Sequence, residues 1–324
     1  MAASRLTKRS GTRAAAIMLA LWALFLLSAM VISWALDINT RLTLSGSANR
    51  VLEAEAMACS GAEVALHPEV KPGSALLRGF FPPNQSYEAR ITGEGGRLNI
   101  NKIAAAGIAD PNSPFLELLR KYLEIKGVDL NERDRMMDCL LDWIDPDNLV
   151  RLNGAEEEPG YKPSNAPLKT LDELKRVRGW EEFTSRPDWD ADFTLNSANG
   201  ANGANNADAR IDINWASRDV LLALPGMTEG VVDRFLAIRR GPDDTEGTED
   251  DVLFTAADMS PQGQVAIAFG LRRDQFDLIF RLITVDDSIM RVVSVGKSGA
   301  VTRTVRMVVF KQGNAIRLIS WKEL

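Results

Sequence analysis

The 324-residue chain has one histidine, His67, and two cysteines, Cys59 and Cys139. A Ser-His-Asp relay or a zinc site built from several histidines therefore lacks its raw material. His67 precedes Pro68 at an expected helix end and reads as a terminal side chain. No CxxC pair is present, and Cys59 on a helix extension and Cys139 on an apolar helical stripe favour two free thiols over a disulfide. The carboxylate pairs lack the Gly/Ser/Thr flanks of an aspartic protease, so nothing points to an enzyme or a small-molecule substrate. Positive charge is also short, with 38 Lys and Arg against 44 Asp and Glu, a net −6. Residues 1–13 hold four basic and no acidic side chains, which leaves −10 for the remainder. Nucleic-acid affinity rests on Lys and Arg releasing counterions, so a nucleic-acid partner is not expected.

Charge is absent altogether from Ala14 to Leu36, directly behind a leader carrying Arg5, Lys8, Arg9 and Arg13. At about 1.5 Å per residue this stretch makes a helix of roughly 35 Å, enough to cross a bilayer once. It is longer than the apolar core of a secretory signal peptide, which spans about 7 to 15 residues. The basic flank stays cytoplasmic, and the rest emerges on the far side, the periplasm of a bacterial cell. Residues 1–13 are thus read as a leader and 14–36 as the anchor, with Ala14, Trp22 and Leu36 along it. Residues 37–68 form the exported half of the same helix, because proline is absent from Ala14 to His67. Leu44, Ala48, Val51, Ala58, Ala62 and Ala65 should line its sheet-facing stripe.

Beyond the helix the pattern is α+β. Residues 75–104 begin a β domain, with Tyr87–Thr92 and Arg97–Asn101 expected to pair as a hairpin around Gly93–Gly96. Residues 278–324 complete it as an antiparallel meander through Phe280–Val285, Arg291–Val295, Thr302–Phe310 and Ala315–Trp321. Residues 105–277 read as an inserted helical domain, with helices at Phe115–Lys126, Asn131–Ile144, Thr170–Val177, Ser217–Leu224 and Thr228–Arg239. Ser197–Ala209 and the acidic run Asp243–Asp251 read as solvated loops.

Two constellations stand out. Asp142-Trp143-Ile144-Asp145-Pro146-Asp147-Asn148 is followed by Gly154-Ala155-Glu156-Glu157-Glu158, a density of oxygen ligands that suits a hard cation such as Ca²⁺. It is not an EF-hand, since Leu149 and Val150 replace the polar residue and glycine that such a loop needs. The alternative is a solvated loop whose Asp145 caps backbone amides. The second is a repeated phrase, Leu98-Asn99-Ile100-Asn101 and Ile211-Asp212-Ile213-Asn214, the latter leading to Leu224-Pro225-Gly226. Helix-hairpin-helix units look like this and offer backbone amides to phosphate. The alternative is that Asn101 and Asn214 cap helices, and Glu229 and Asp233 would repel a phosphate that Arg234, Arg239 and Arg240 attract.

The basic leader with Gly11, the long apolar helix, Gly96–Asn101, Leu141–Asp147, Asn165–Gly179, Ile211–Gly226 and the terminal meander together resemble type II secretion protein K. The resemblance implies a type IV pilin-like fold, a long N-terminal helix packed on an antiparallel sheet with a large all-helical insertion. It implies a minor pseudopilin of the bacterial inner membrane that initiates or caps a pseudopilus with other minor pseudopilins, without enzymatic activity. It also implies calcium in the insertion, carried here onto Asp145, Asp147, Glu156 and Glu157, and processing between Gly11 and Thr12. Ala16 would then occupy the fifth mature position, where other pilin-like subunits carry glutamate. Thr12-Arg13 after the glycine depart from the usual apolar continuation. The competing readings are a membrane-anchored helix-hairpin-helix protein of DNA uptake and a minor pilin of a type IV pilus.

Overall fold

Without a proline to break it, the N-terminal segment forms one α-helix, α1 (Arg9–Leu66), of 58 residues. The computed structural model describes residues 9–196, 209–285, 289–312 and 315–324, so the Ser197–Ala209 loop, apart from Ala209, and the Gly313-Asn314 turn lie outside the described residues. The apolar half of α1 is long enough to cross a membrane and buries none of its most apolar window. Trp22 and Leu36 are exposed along it, and Ala14, Gly11 and Thr12 lie within the helix.

The other half of α1 packs on a five-stranded antiparallel sheet of order β1 (Arg78–Phe81), β2 (Gln85–Gly93), β7 (Ile289–Ser298), β8 (Val301–Gln312) and β9 (Ala315–Glu323). Ala54, Ala58, Ala62 and Ala65 face the sheet and are buried against Ala89, Ile91, Val292, Val305, Met307 and Val309. The approach is close. A Cβ on Gly296 of β7 would strike the Ala54 carbonyl and the Ala58 amide, so glycine is required there. The buried stripe begins at Ala54, not at Leu44 as expected. Leu44 and Ala48 are exposed because the sheet ends below them. The β7–β8 turn stands level with Glu53, which accepts a hydrogen bond from Ser298 Oγ at 2.6 Å.

Two expectations about strands are corrected. Residues 93–96 do not close a hairpin, since β2 pairs with β1 and β7, and Leu98–Asn99 instead forms a short parallel strand, β3, with β4 (Phe193–Thr194). Strand alternation was present on both sides of the glycines, but β2 turns back to β1 before it, and its other partner, β7, lies beyond the whole helical segment. Phe280–Val285 is likewise no part of the meander. Phe280 caps α9 (Arg273–Ile279), and Ile283–Thr284, β6, pairs in parallel with Ile211–Asp212, β5.

Between β2 and β7 the chain is mainly helical, with α2 (Ile100–Ala109), α3 (Pro114–Ile125), α4 (Leu130–Ile144), α5 (Glu181–Thr184), α6 (Arg218–Ala223), α7 (Glu229–Arg239), α8 (Gln264–Phe269) and α9. Helical residues thus begin at Ile100 and run to Ile279, a few positions outside the 105–277 range. Ser113, Asp129 and Ser217 accept backbone amides at the starts of α3, α4 and α6. The expected helix at Thr170–Val177 is a 3₁₀ turn, Leu171–Arg176, opened by a capping box between Thr170 and Glu173.

The repeated phrase marks a repeated unit. In each copy the first two residues form a two-residue parallel strand, and the final asparagine clamps a remote backbone amide and carbonyl. Asn101 does this to Leu168, with both hydrogen bonds at 2.8 Å, and Asn214 does it to Phe254 at 2.8 and 2.9 Å. Each clamped residue is followed by a capping box on a 3₁₀ turn, at Thr170 in one copy and at Thr255 in the other. The expectation that Asn101 caps a helix is therefore corrected. Asn99 caps α2, accepting from the Lys102 amide at 3.2 Å.

Candidate functional site

The acidic constellation forms at the end of α4, whose apolar residues Met136, Cys139, Leu140 and Trp143 hold it against the core. Asp142, one turn from the helix end, is fully buried, and Asp145 directly after it is buried as well. Arg151 folds back between them. Its Nη1 donates to Asp142 Oδ1 at 2.6 Å and to Asp145 Oδ2, while its amide donates to Asp142 Oδ2 at 3.2 Å. A Cβ on Gly154 would run into the Asp142 carboxylate, so the returning loop lies directly on it. Glu156 follows, only 7% exposed, with neither carboxylate oxygen hydrogen-bonded within the protein, and Asp145 Oδ1 is also unpartnered.

These placements set the electrostatics. Burial, and then the charges of Asp142, Asp145 and Asp147, push the Glu156 carboxyl above the usual carboxylate range. Burial also raises Asp142, against the opposing pull of Arg151. Asp147 is exposed and accepts from the Leu149 amide at 2.8 Å, and Glu157 is exposed and 3.2 Å from Lys162 Nζ. Of the four residues expected to bind a cation, two are therefore buried with free oxygens and two stand in solvent. Among the described residues no three His, Cys, Asp or Glu side chains are grouped to hold a metal, and Arg151 pairs with both Asp142 and Asp145. The orphaned oxygens of Asp145 and Glu156 are nevertheless of the donor type a hard cation takes. Arg151 escaped the sequence reading. Its signal was being the one cation amid the acidic residues from Asp142 to Glu158.

A second buried ionic centre joins the insertion to the sheet. Glu94, 1% exposed, accepts from Arg291 Nε at 2.7 Å and Nη2 at 2.9 Å, from Arg97 Nη1 at 3.3 Å and from Thr194 Oγ1 at 2.6 Å. Burial alone would raise its carboxyl, but Arg291 and then Arg97 outweigh it and hold the group below the usual range. Arg97 also donates to the Ala191 carbonyl at 2.9 Å. The Gly-Glu-Gly-Gly run, read only as a turn, was the available signal, a carboxylate set among glycines that let backbone close in around it.

The second phrase leads through α6 to Pro225-Gly226, where Gly226 adopts a φ of 75° and opens to solvent. Of the three arginines on the following α7 and its C-cap, Arg239 is buried and donates to the Ile213 carbonyl at 2.9 Å and the Ala216 carbonyl at 2.7 Å. Arg240 pairs with Asp244 and Glu246, and Arg234 stays exposed. Asp233 holds Arg218 at 2.7 Å. Cys59 and Cys139 are free thiols, and burial pushes Cys139 up to about 11.

A long helix with an apolar, uncovered half, laid on an antiparallel sheet split by a helical insertion with buried ion clusters, defines the class as an α+β protein built on an extended N-terminal helix. Within that class, residues 96–186 match the family described as type II secretion system (T2SS), protein K. The chain is 30% identical over 112 residues to type II secretion system protein K of Klebsiella pneumoniae, and 30% identical over 67 residues to that of Dickeya chrysanthemi. These matches cover 32% and 20% of this chain and span 34% and 19% of the relatives' lengths. The fold matches a chain of the GspK-GspI-GspJ complex from the enterotoxigenic Escherichia coli type 2 secretion system, with a TM-score of 0.50 and 15% identity, covering 89% of this chain and 98% of that one. The resemblance to protein K and the mixed helix and antiparallel-sheet fold are as read from the sequence.

Proposed function

We propose that this chain is a minor pseudopilin of a type II secretion system, acting by assembly and not by catalysis. The observation that carries the reading is the protein K match over residues 96–186, set in a fold that follows a GspK-GspI-GspJ complex chain along nearly its whole length. In this reading α1 anchors the protein in the bacterial inner membrane, and the sheet and insertion stand in the periplasm. There they join two further minor pseudopilins and initiate or cap the filament that supports export of folded proteins. The long, uncovered apolar half of α1 supports a single anchor, and the bulk of the insertion suits a position with no subunit above it. Processing at Gly11-Thr12 would leave Ala16 at the fifth position, without a carboxylate to pair with a neighbour's amine. Such a loss matters least at a tip.

Deletion of the gene tests the reading, with exported proteins, twitching and DNA uptake scored in the same strain. Accumulation of exported enzymes in the periplasm, with motility and uptake intact, is the expected result. Intact export with failed twitching would assign the chain to a type IV pilus, and failed uptake would favour the helix-hairpin-helix reading.

We further propose that the α4 pocket binds Ca²⁺. Asp145 and Glu156 supply oxygens that lack partners, Asp142 is freed when Arg151 withdraws, and Asp147 and Glu157 stand on the adjoining turns. Bound calcium would supply the positive charge that Arg151 now provides alone.

A further inference from the structure

The sheet ends on an uncovered edge. β9 pairs only with β8 among the described strands, and α1 packs chiefly on β2, β7 and β8, which leaves the helix-side face of β9 open. Ile316, Leu318 and Trp321 project on that face, aligned with Lys311, Val309 and Met307 of β8, and are 39%, 54% and 39% exposed. The opposite face of the same edge is basic. Lys322 lies directly across from Arg306, a like-charge pairing that sheets normally avoid.

No carboxylate among the described residues forms an ion pair with Arg306, Lys322 or Lys169, and all three line one cleft of about 580 Å³. Lys322 acts on Asp172 only at longer range. Three acids line the cleft: Glu94 is held by Arg97 and Arg291, Asp172 by Lys175 at 2.6 Å, and Asp190 is half-buried, against the five cations Lys169, Lys175, Arg291, Arg306 and Lys322. A chain with net charge −6 thus gathers an excess of cations beside its open strand.

An edge strand offers free backbone donors and acceptors, and side chains along any strand alternate between faces. We infer that β9 accepts an extended segment of another protein in which carboxylate and apolar residues alternate. The segment adds as a sixth strand, with its carboxylates on Arg306 and Lys322 and its apolar side chains on Leu318 and Trp321. The cations that attract such a strand also repel a second copy of β9, so self-pairing is the disfavoured occupant. This inference does not depend on the secretion reading.

The test uses the full chain in detergent and a labelled octapeptide alternating valine and glutamate, followed by fluorescence anisotropy and amide hydrogen exchange. Binding that weakens with salt and slows exchange across residues 316–323 is expected, with at least tenfold loss in the Arg306→Gln, Lys322→Gln double variant. That variant should melt no lower than wild type, because it removes a repulsion. Should it fail to fold, the charge reversal Lys322→Glu, which gives Arg306 a partner, is expected to abolish binding in its place. Equal affinity for a peptide alternating valine and lysine, undiminished affinity in the variants, or binding without protection of β9 would each overturn the inference.

Discussion

Glu94 and Arg291, 197 positions apart, meet in a two-pronged ion pair. One stands just past β2 and the other lies near the start of β7, so the pair fastens the sheet where the insertion leaves and rejoins it. Arg97 and Thr194 complete the contact from the insertion itself.

Replacing Glu94 with glutamine is expected to destabilise the fold by about 3 to 5 kcal/mol, since Arg291 and Arg97 are then left without a buried counter-charge. Chemical denaturation reads this directly. The carboxyl is held below its ordinary value in the fold, so its contribution is complete above the unfolded value and lost as pH falls through the depressed one. The gap between wild type and Glu94→Gln should therefore be full at neutral pH and begin to narrow only below about pH 4.

Glu156 behaves in the opposite sense. Its folded carboxyl is raised, first by burial and then by its acidic neighbours, so its favourable contribution is present below the unfolded value and lost as pH rises through the raised one. In calcium-free protein Glu156→Gln should raise the melting temperature at neutral pH. Calcium should raise it in wild type, by preferential binding to the folded state, and leave the variant unmoved. A wild-type melting temperature that ignores calcium would end the metal proposal.

Gly296→Ala should cost about 1 to 3 kcal/mol, because the added methyl meets α1 backbone that has nowhere to shift. Gly230→Ala on α7, where nothing lies within 4 Å, is the matched control and should stabilise by up to about 1 kcal/mol. Thermal melts of the two variants separate close packing from helix propensity.

If the insertion is one unit used twice, Asn101→Ala and Asn214→Ala should cost similar amounts, about 1 to 3 kcal/mol each, since either leaves a backbone amide and carbonyl without their partners. Denaturant midpoints of the two variants make the comparison.

The long helix, the helical middle and the three closing strands were legible because each depends on local periodicity and on where proline and glycine fall. The strand partners were not. Tyr87–Thr92 alternates as a strand should, yet nothing near it in sequence says that its neighbour is Ile289–Ser298. The Gly-rich run at 93–96 looked like a hairpin turn because glycines that admit a remote side chain and glycines that turn a chain are the same residue. Half of the acidic pocket was visible from carboxylate density alone. Density does not distinguish Asp147, which stays in water, from Asp142, which α4 carries into the core, and it conceals the arginine that closes the pocket.

The continuity of α1 joins its apolar half to the sheet-bearing half without a break. No proline or loop separates Trp22 from Ala54, and Gly296 seats the sheet directly on the helix backbone. With the anchor proposed above, rotation about the helix axis would turn the sheet and its open β9 edge with it, and withdrawing the helix by one residue would lift them by about 1.5 Å. The orientation presented to a partner would then be set where the helix is held.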